Sequence, residues 1–302
     1  MAMRKAEEQP SQACPELQVA EQTATGSGRS HNEDHVRHCV PEDVRLRSRK
    51  GVLCLVADGM GGRKAGEVAS REAVELVGRH YYEDPSRDPA GSLARAFSAA
   101  NATIGQLADL DRGRTGMGTT LVVAAIRGSQ VVVASVGDSR AYHVGKRCIS
   151  QITTDHTWVD EQVKAGLLTP EQARTHPQRN LVTRALGTRP EVEVDLYEGS
   201  IESGDCLVLC TDGLSNQVED GEIEVAVRTR PAEEAALALV DLVGERGGRD
   251  DATVLVVRAA GERGSQGLAA RNQMGAKWTW LLLGSAVVLG LLALLLYLVP
   301  GV

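Results

Sequence analysis

Residues 120–138 read Thr120-Leu-Val-Val-Ala-Ala-Ile126, then Arg127-Gly128-Ser129-Gln130, then Val131-Val-Val-Ala-Ser-Val136, and close on Gly137-Asp138. Two β-branched apolar runs, each too short for a helix, flank Gly128-Ser129 at hairpin spacing, which predicts antiparallel neighbouring strands inside a core. Outward from this hairpin, Val52 to Ala57, Leu207 to Cys210 and Thr253 to Val257 have the same character and are bounded by Gly, Asp or Ser. Helical periodicity runs over Glu67 to Tyr81, Ala90 to Leu107, Trp158 to Ala165 and Ala232 to Val243. Strands in clusters and helices in pairs predict an α+β domain whose mainly antiparallel sheets are covered by helices, rather than an alternating parallel fold.

The chain has 302 residues, 42% hydrophobic and 24% charged, a balance that excludes a disordered, collagen-like or polytopic membrane protein as the main body. A net charge of −7, from 33 basic and 40 acidic residues, disfavours nucleic acid as a partner. The 6 cysteines form neither a C-x-x-C pair nor a disulfide framework, so they are read as thiols of a reducing compartment. Residues 1–16 are polar and lack the apolar core of a signal peptide, and are expected to form a flexible tail. Near the other end, residues 278–299 are 22 positions without a charge. As a helix they would span ~33 Å, enough for a ~30 Å hydrocarbon layer, which predicts a transmembrane helix. Arg271 and Lys277 precede this run and only Pro300, Gly301 and Val302 follow it. The positive-inside bias therefore predicts a single-pass protein of the cell membrane with its large N-terminal part in the cytoplasm and lipid as a partner of the helix. Residues 259–277, rich in Gly, Ser, Gln and Arg, read as the linker between the two.

Aspartates cluster where strands end. Asp58-Gly59 follows one strand, Asp138 a second and Asp212-Gly213 a third, while Asn32-Glu33-Asp34 and Asp250-Asp251 add further carboxylates. Two unit charges ~4 Å apart cost about 4 kcal/mol at an effective dielectric near 20, so carboxylates gathered in one site need cations or protons. Hard oxygen donors in this number suit Mg²⁺ or Mn²⁺. Any one Asp-Gly pair is more simply a turn, but turns do not account for all of them together.

The segments Gly28-Arg29-Ser30-His31-Asn32-Glu33-Asp34, Val56-Ala57-Asp58-Gly59-Met60-Gly61-Gly62 with Gly66-Glu67, Gly118-Thr119-Thr120, Val136-Gly137-Asp138-Ser139-Arg140, Cys210-Thr211-Asp212-Gly213 and Gly247-Gly248-Arg249-Asp250-Asp251-Ala252-Thr253 follow one another in the chain. Their order resembles that of the bacterial PP2C-like (PPM) serine/threonine phosphatases over residues 17–258. The resemblance implies a four-layer α-β-β-α sandwich with a binuclear metal centre between two sheets. It implies that Asp58 bridges two Mn²⁺ or Mg²⁺ ions, that the Gly59 carbonyl binds one, and that Asp212 and Asp250 hold the second. Glu33 and Asp34 would bind or orient metal-bound waters, Asp138 with Asp212 would form a third, weaker metal site, and Arg29 would bind the substrate phosphate. The catalytic set so implied is Arg29, Asp34 and Asp58, with water activated by the metals attacking a phosphoserine or phosphothreonine of a protein substrate. Membrane-enriched substrates, including serine/threonine kinases and their targets, are the expected partners. Two positions depart from the family: Met60 stands where eukaryotic relatives place a proposed general-acid His, and Asp251 where Asn is common. Arg174 to Gly187 looks like the end of the family's flap segment beside the active site. A pseudophosphatase that only binds phosphoproteins is the competing reading, and the intact ligand set argues against it.

Other chemistry is weaker. His38-Cys39 and Arg45 match His-Cys-x5-Arg, the phosphate loop of cysteine-dependent tyrosine phosphatases, yet Pro41 removes a backbone donor and Glu42 and Asp43 would repel a phosphate. Cys54, Cys206 and Cys210 sit in apolar runs and read as small core residues. His31 and His156 lie near matched motifs, as rim residues or as aids to proton transfer.

Overall fold

The computed structural model describes residues 16–61, 65–111 and 116–260. The expected tail up to residue 15, the linker from residue 261 and the apolar run 278–299 lie outside the described residues. Among the described residues, no helix is long and apolar enough to cross a membrane. The domain runs slightly past its expected boundaries, because its first strand begins at Glu16 and its last continues to Ala260.

Two antiparallel sheets form the body. One has the order β1 (Glu16–Ala24), β11 (Ala252–Ala260), β10 (Cys206–Cys210), β7 (Arg140–Val144) and β8 (Ile149–Gln151). The other has the order β2 (Asp34–Cys39), β3 (Val52–Met60), β5 (Leu121–Arg127), β6 (Gln130–Val136) and β9 (Asp195–Ser200), with the short β4 (Gly118–Thr119) also on β3. The hairpin expected around Gly128-Ser129 is present, with Arg127 opposite Gln130. β1 pairs along its whole length with β11, so the two ends of the domain lie side by side.

Period-two alternation along the strands builds four layers, because each central strand buries both faces. Along β3, Val52, Cys54 and Val56 point between the sheets, where they meet Leu207, Leu209, Leu255 and Val257. Leu53, Leu55 and Ala57 point outward, onto α2 (Ala65–Glu83) and α3 (Pro89–Leu110). On the far side Val208, Cys210, Val254 and Val256 face α8 (Ala232–Glu245) and α7 (Asp220–Thr229). The α-β-β-α sandwich is therefore confirmed. Several elements had no reading in the sequence. β9 is mostly exposed and α5 (Pro170–Thr175) buries no residue, so neither carries an apolar period.

Antiparallel order also decides where the chemistry can be. The end of β3 lies beside the starts of β2 and β5, and β6 runs back to end beside the start of β5. In the other sheet the end of β10 lies beside the starts of β7 and β11. One edge of the sandwich thus collects the strand ends that carry Asp34, Asp58, Asp138, Asp212 and Asp250.

Gly137 makes the turn that presents Asp138: its φ is +104°, and a Cβ there would lie 2.5 Å from the Thr120 Cβ. Both facts exclude a side chain. Gly137→Ala is expected to lower stability by about 2 kcal/mol or more, measured by urea unfolding.

Candidate metal centre

The β2–β3 ladder sets Asp34 directly opposite Asp58. Asp58 is held by its backbone: its N–H donates to the Thr120 Oγ1 (3.1 Å), and its carbonyl accepts from the Thr120 N–H (2.9 Å) and the Thr119 hydroxyl (2.8 Å). The carboxylate is left free of these bonds and turns toward its acidic neighbours. Asp34 lies in the sheet of β2 and β3 but reaches the other sheet, where the Thr211 hydroxyl donates to its Oδ2 (2.8 Å). The Thr211 oxygen in turn accepts from the Thr253 N–H (3.0 Å). One threonine thus joins β10, β11 and β2 just before Asp212.

Glycine lets backbone approach the cluster. A Cβ on Gly59 would fall 2.1 Å from the Gly66 carbonyl oxygen, and a Cβ on Gly66 would fall 2.7 Å from both the Glu33 Oε1 and the Gly59 carbonyl oxygen. Glu33 and the Gly59 carbonyl therefore face one common space above Gly66, and any larger residue there would fill it. The Gly59 N–H donates to the Glu33 carbonyl (3.1 Å), which fixes the two relative to each other.

Charge is crowded here. Burial, then the charges of Asp34, Asp212, Asp138 and Asp250, push the Asp58 carboxyl well above the ordinary range. Burial followed by Asp212 and Asp155 does the same to Asp138. Burial and Asp250 raise Asp212. Asp34 is pushed up to about 7, mainly by burial, against the hydrogen bonds from Thr253 and Thr211. Burial also raises Glu33, with Arg29 opposing it. Among the described residues, the Asp212 Oδ1 is buried with no hydrogen-bond partner, while its Oδ2 accepts from the Asn216 amide (3.2 Å). A buried carboxylate oxygen without a donor needs a cation or a proton.

The donor set fits a hard divalent ion: carboxylates of Asp58, Asp212 and Asp250, an orphaned oxygen, and the space shared by Glu33 and the Gly59 carbonyl. Among the described residues, no three carboxylate, histidine or cysteine side chains close on a single point. The cluster is therefore an open one, in keeping with ions such as Mg²⁺ that retain several waters. Arg29 stands at its rim, paired with Asp250, with Asp251 (3.0 Å) and with Glu33 (3.5 Å). Burial works against the Arg29 charge, but Asp250, Asp251 and Glu33 together hold the guanidinium above its ordinary range.

The remaining sequence candidates separate cleanly. His38 and Cys39 end a β-strand and Arg45 begins α1 (Val44–Lys50), where its N–H is capped by Asp43. This geometry aims no run of N–H groups at a ligand, and burial pushes the Cys39 thiol up. Burial likewise pushes Cys210 up to about 12, which fits inert core thiols. His31 is exposed, as a rim residue would be. His156 is not a rim residue. It is buried, its Nδ1 accepts from the Gly137 N–H (3.0 Å), and its Nε2 faces Asp195 (3.2 Å). It braces the turn that carries Asp138. The flap segment ends beside the site, since Leu186 and Thr119 exchange backbone hydrogen bonds at 3.2 and 2.9 Å. Two sets of contacts escaped the sequence reading: those of the Thr211 hydroxyl, a residue type too common to signal anything, and the donors that meet Asp251, whose charge was visible but whose partners were not.

Residues 27–236 match the family model described as Protein phosphatase 2C. The chain is 38% identical over 240 residues to the serine/threonine phosphatase stp of Listeria innocua, covering 78% of this chain and 93% of that relative. It superposes on the crystal structure of the Mycobacterium tuberculosis serine/threonine phosphatase PstP/Ppp with a TM-score of 0.73 at 36% identity, covering 81% of this chain and 99% of the other. A structure of the PstP catalytic domain in complex with 2 manganese ions aligns with a TM-score of 0.70 at 34% identity, covering 81% and 99%.

Carboxyls of the unfolded chain titrate near about 4, whereas Asp34 in the folded domain is pushed up to about 7. Through that window the folded state holds protons that the unfolded state releases, so stability falls as pH rises. In a chelator, the melting temperature is expected to drop by on the order of 5 °C between pH 5 and 8, and Asp34→Asn to flatten the drop. A melting temperature that rises over this range contradicts the assignment.

Proposed function

Because this chain belongs to the protein phosphatase 2C family, and is thereby a serine/threonine phosphatase, we propose that it hydrolyses phosphoserine and phosphothreonine in proteins at the acidic edge just described, with two Mn²⁺ or Mg²⁺ ions. The observation that carries this reading is the conjunction of raised, mutually repelling carboxyls with a buried Asp212 oxygen that has no donor. When bound, a divalent pair supplies Lewis-acid activation of water and neutralises phosphate charge. Asp58, the Gly59 carbonyl, Asp212 and Asp250 are the residues that would hold the ions. Asp138 with Asp212 would hold a third. Glu33 and the buried Asp34 would bind or orient waters of the ions, and the Thr211 hydroxyl fixes Asp34 for that task.

Arg29 supplies a planar, permanently charged fork for the phosphoryl oxygens. It is 34% exposed at the mouth of the cluster, where a phosphorylated side chain on a protein surface can meet it. Met60 at the end of β3 carries no proton to give, so it is not the acid that protonates the leaving alkoxide. The binding-only alternative has no observation in its favour, since every expected ligand position is filled by a ligating residue. The apolar run 278–299 supports a further reading: a membrane tether that keeps the domain at the cytoplasmic face, among serine/threonine kinases and their substrates.

Full-length protein in detergent is expected to release phosphate from a phosphothreonine peptide only with Mn²⁺ or Mg²⁺. Asp58→Asn should lose activity by about a hundredfold or more, and Cys39→Ser should retain it. Arg29→Ala should raise KM by about tenfold. Turnover by the folded wild type in chelator, or loss of turnover in Cys39→Ser, would overturn the metal reading. For the cytoplasmic orientation, protease added to intact cells should leave the domain uncut, whereas a domain outside the membrane would be digested.

A further inference from the structure

We propose that Asp251 is a positioning residue: its buried carboxylate holds the Arg29 guanidinium in the attitude that receives the substrate phosphate. The proposal rests on the assignment of Arg29 as the phosphate fork.

Asp251 follows an expected metal ligand, yet its own carboxylate is already engaged. It is 1% exposed, its Oδ1 accepts from the Gly26 N–H (2.9 Å), and its Oδ2 accepts from the Glu33 N–H (2.8 Å) and from the Arg29 guanidinium (3.0 Å). The two backbone donors fix the carboxylate plane, and the remaining lone pair of Oδ2 is what Arg29 meets. Gly26 and Glu33 bracket Arg29, so a single side chain ties down both shoulders of the loop and the cation at its tip. The loop is seated on the backbone beneath it as well: Ser27 N–H donates to the Gly248 carbonyl (2.9 Å), and a Cβ on Gly26 would lie 2.3 Å from the Arg249 carbonyl oxygen.

Arg29 touches two further carboxylates, but these are not equivalent anchors. Asp250 is 38% exposed and Glu33 21%, so both can turn away, whereas Asp251 cannot. The guanidinium is therefore pinned through one terminal nitrogen to Asp251, while its other terminal nitrogen, paired here with the exposed Asp250, is the one that can be released to phosphoryl oxygens. Pinning lowers the conformational entropy lost when the phosphate is gripped. An asparagine at 251 has one accepting oxygen for three donors. One backbone N–H or the guanidinium would then face an amide N–H, and the ionic part of the contact would vanish.

The test is a double-mutant cycle on the full chain with saturating Mn²⁺ and a phosphothreonine peptide, with inorganic phosphate as competing inhibitor. Asp251→Asn is expected to raise KM and the phosphate inhibition constant by about fivefold with kcat within about twofold. In the Arg29→Ala background the same substitution should change neither by more than about 1.5-fold. Equal shifts in both backgrounds, or altered Mn²⁺ affinity by calorimetry, would overturn the proposal, as would an unchanged KM in Asp251→Asn alone. If Arg29→Ala itself leaves KM unchanged, the failure belongs to the assignment of Arg29 and not to Asp251. A readout that needs no change at 251 is the NMR signal of the Arg29 guanidinium in the wild type, identified by its loss in Arg29→Lys. Slow rotation about its Cζ–Nε bond is expected, and free rotation would refute the pinning.

Discussion

Mutual repulsion among buried carboxylates is the interaction on which the rest of this structure turns. Asp34, Asp58, Asp138 and Asp212 each sit where burial alone would disfavour their charge, and Asp58 is raised further by the other three. A fold tolerates such an edge only if the surrounding core is strong enough to offset it and if a counter-charge is available. Here the core is three apolar layers, one between the sheets and one under each helical face. The protein itself supplies Arg29 as a counter-charge, and divalent ions would supply the rest.

The sandwich contributes more than stability. Because neighbouring strands are antiparallel, one edge of each sheet gathers the end of one strand with the start of the next, and residues far apart in sequence arrive side by side. Thr211 and Asp251 then lock the two sheets to each other at that edge, through Asp34 and through the Arg29 loop respectively. The site is thus shared between sheets, and its geometry reports the packing of both.

Much of this was legible in the sequence because it follows short-range rules. Both-face burial writes continuous apolar runs, which marked β3, β5, β6, β10 and β11, and amphipathic periods marked α2, α3, α4 (Trp158–Lys164) and α8. The acidic positions were legible because they interrupt those runs at their ends. What escaped depends on partners supplied by the fold. The edge strand β1 mixes Glu, Gln and Thr with few apolar residues, because much of it remains accessible. His156 looked like rim or acid–base chemistry until its ring was seen bonded to the Gly137 N–H. Asp251 looked like surplus negative charge near the metals, and only three donors converging on it reveal what the charge holds.

The pairing of β1 with β11 has a consequence for the timing of synthesis. Thr23 and Thr253 share a hydrogen bond across 230 residues of intervening chain. The first strand to leave the ribosome therefore waits for nearly the whole domain before it finds its partner, and the loop bearing Arg29 and Glu33 waits with it. Asp250 and Asp251 arrive with that last strand. No shorter nascent chain contains a complete site, so dephosphorylation begins only once translation has passed the catalytic domain.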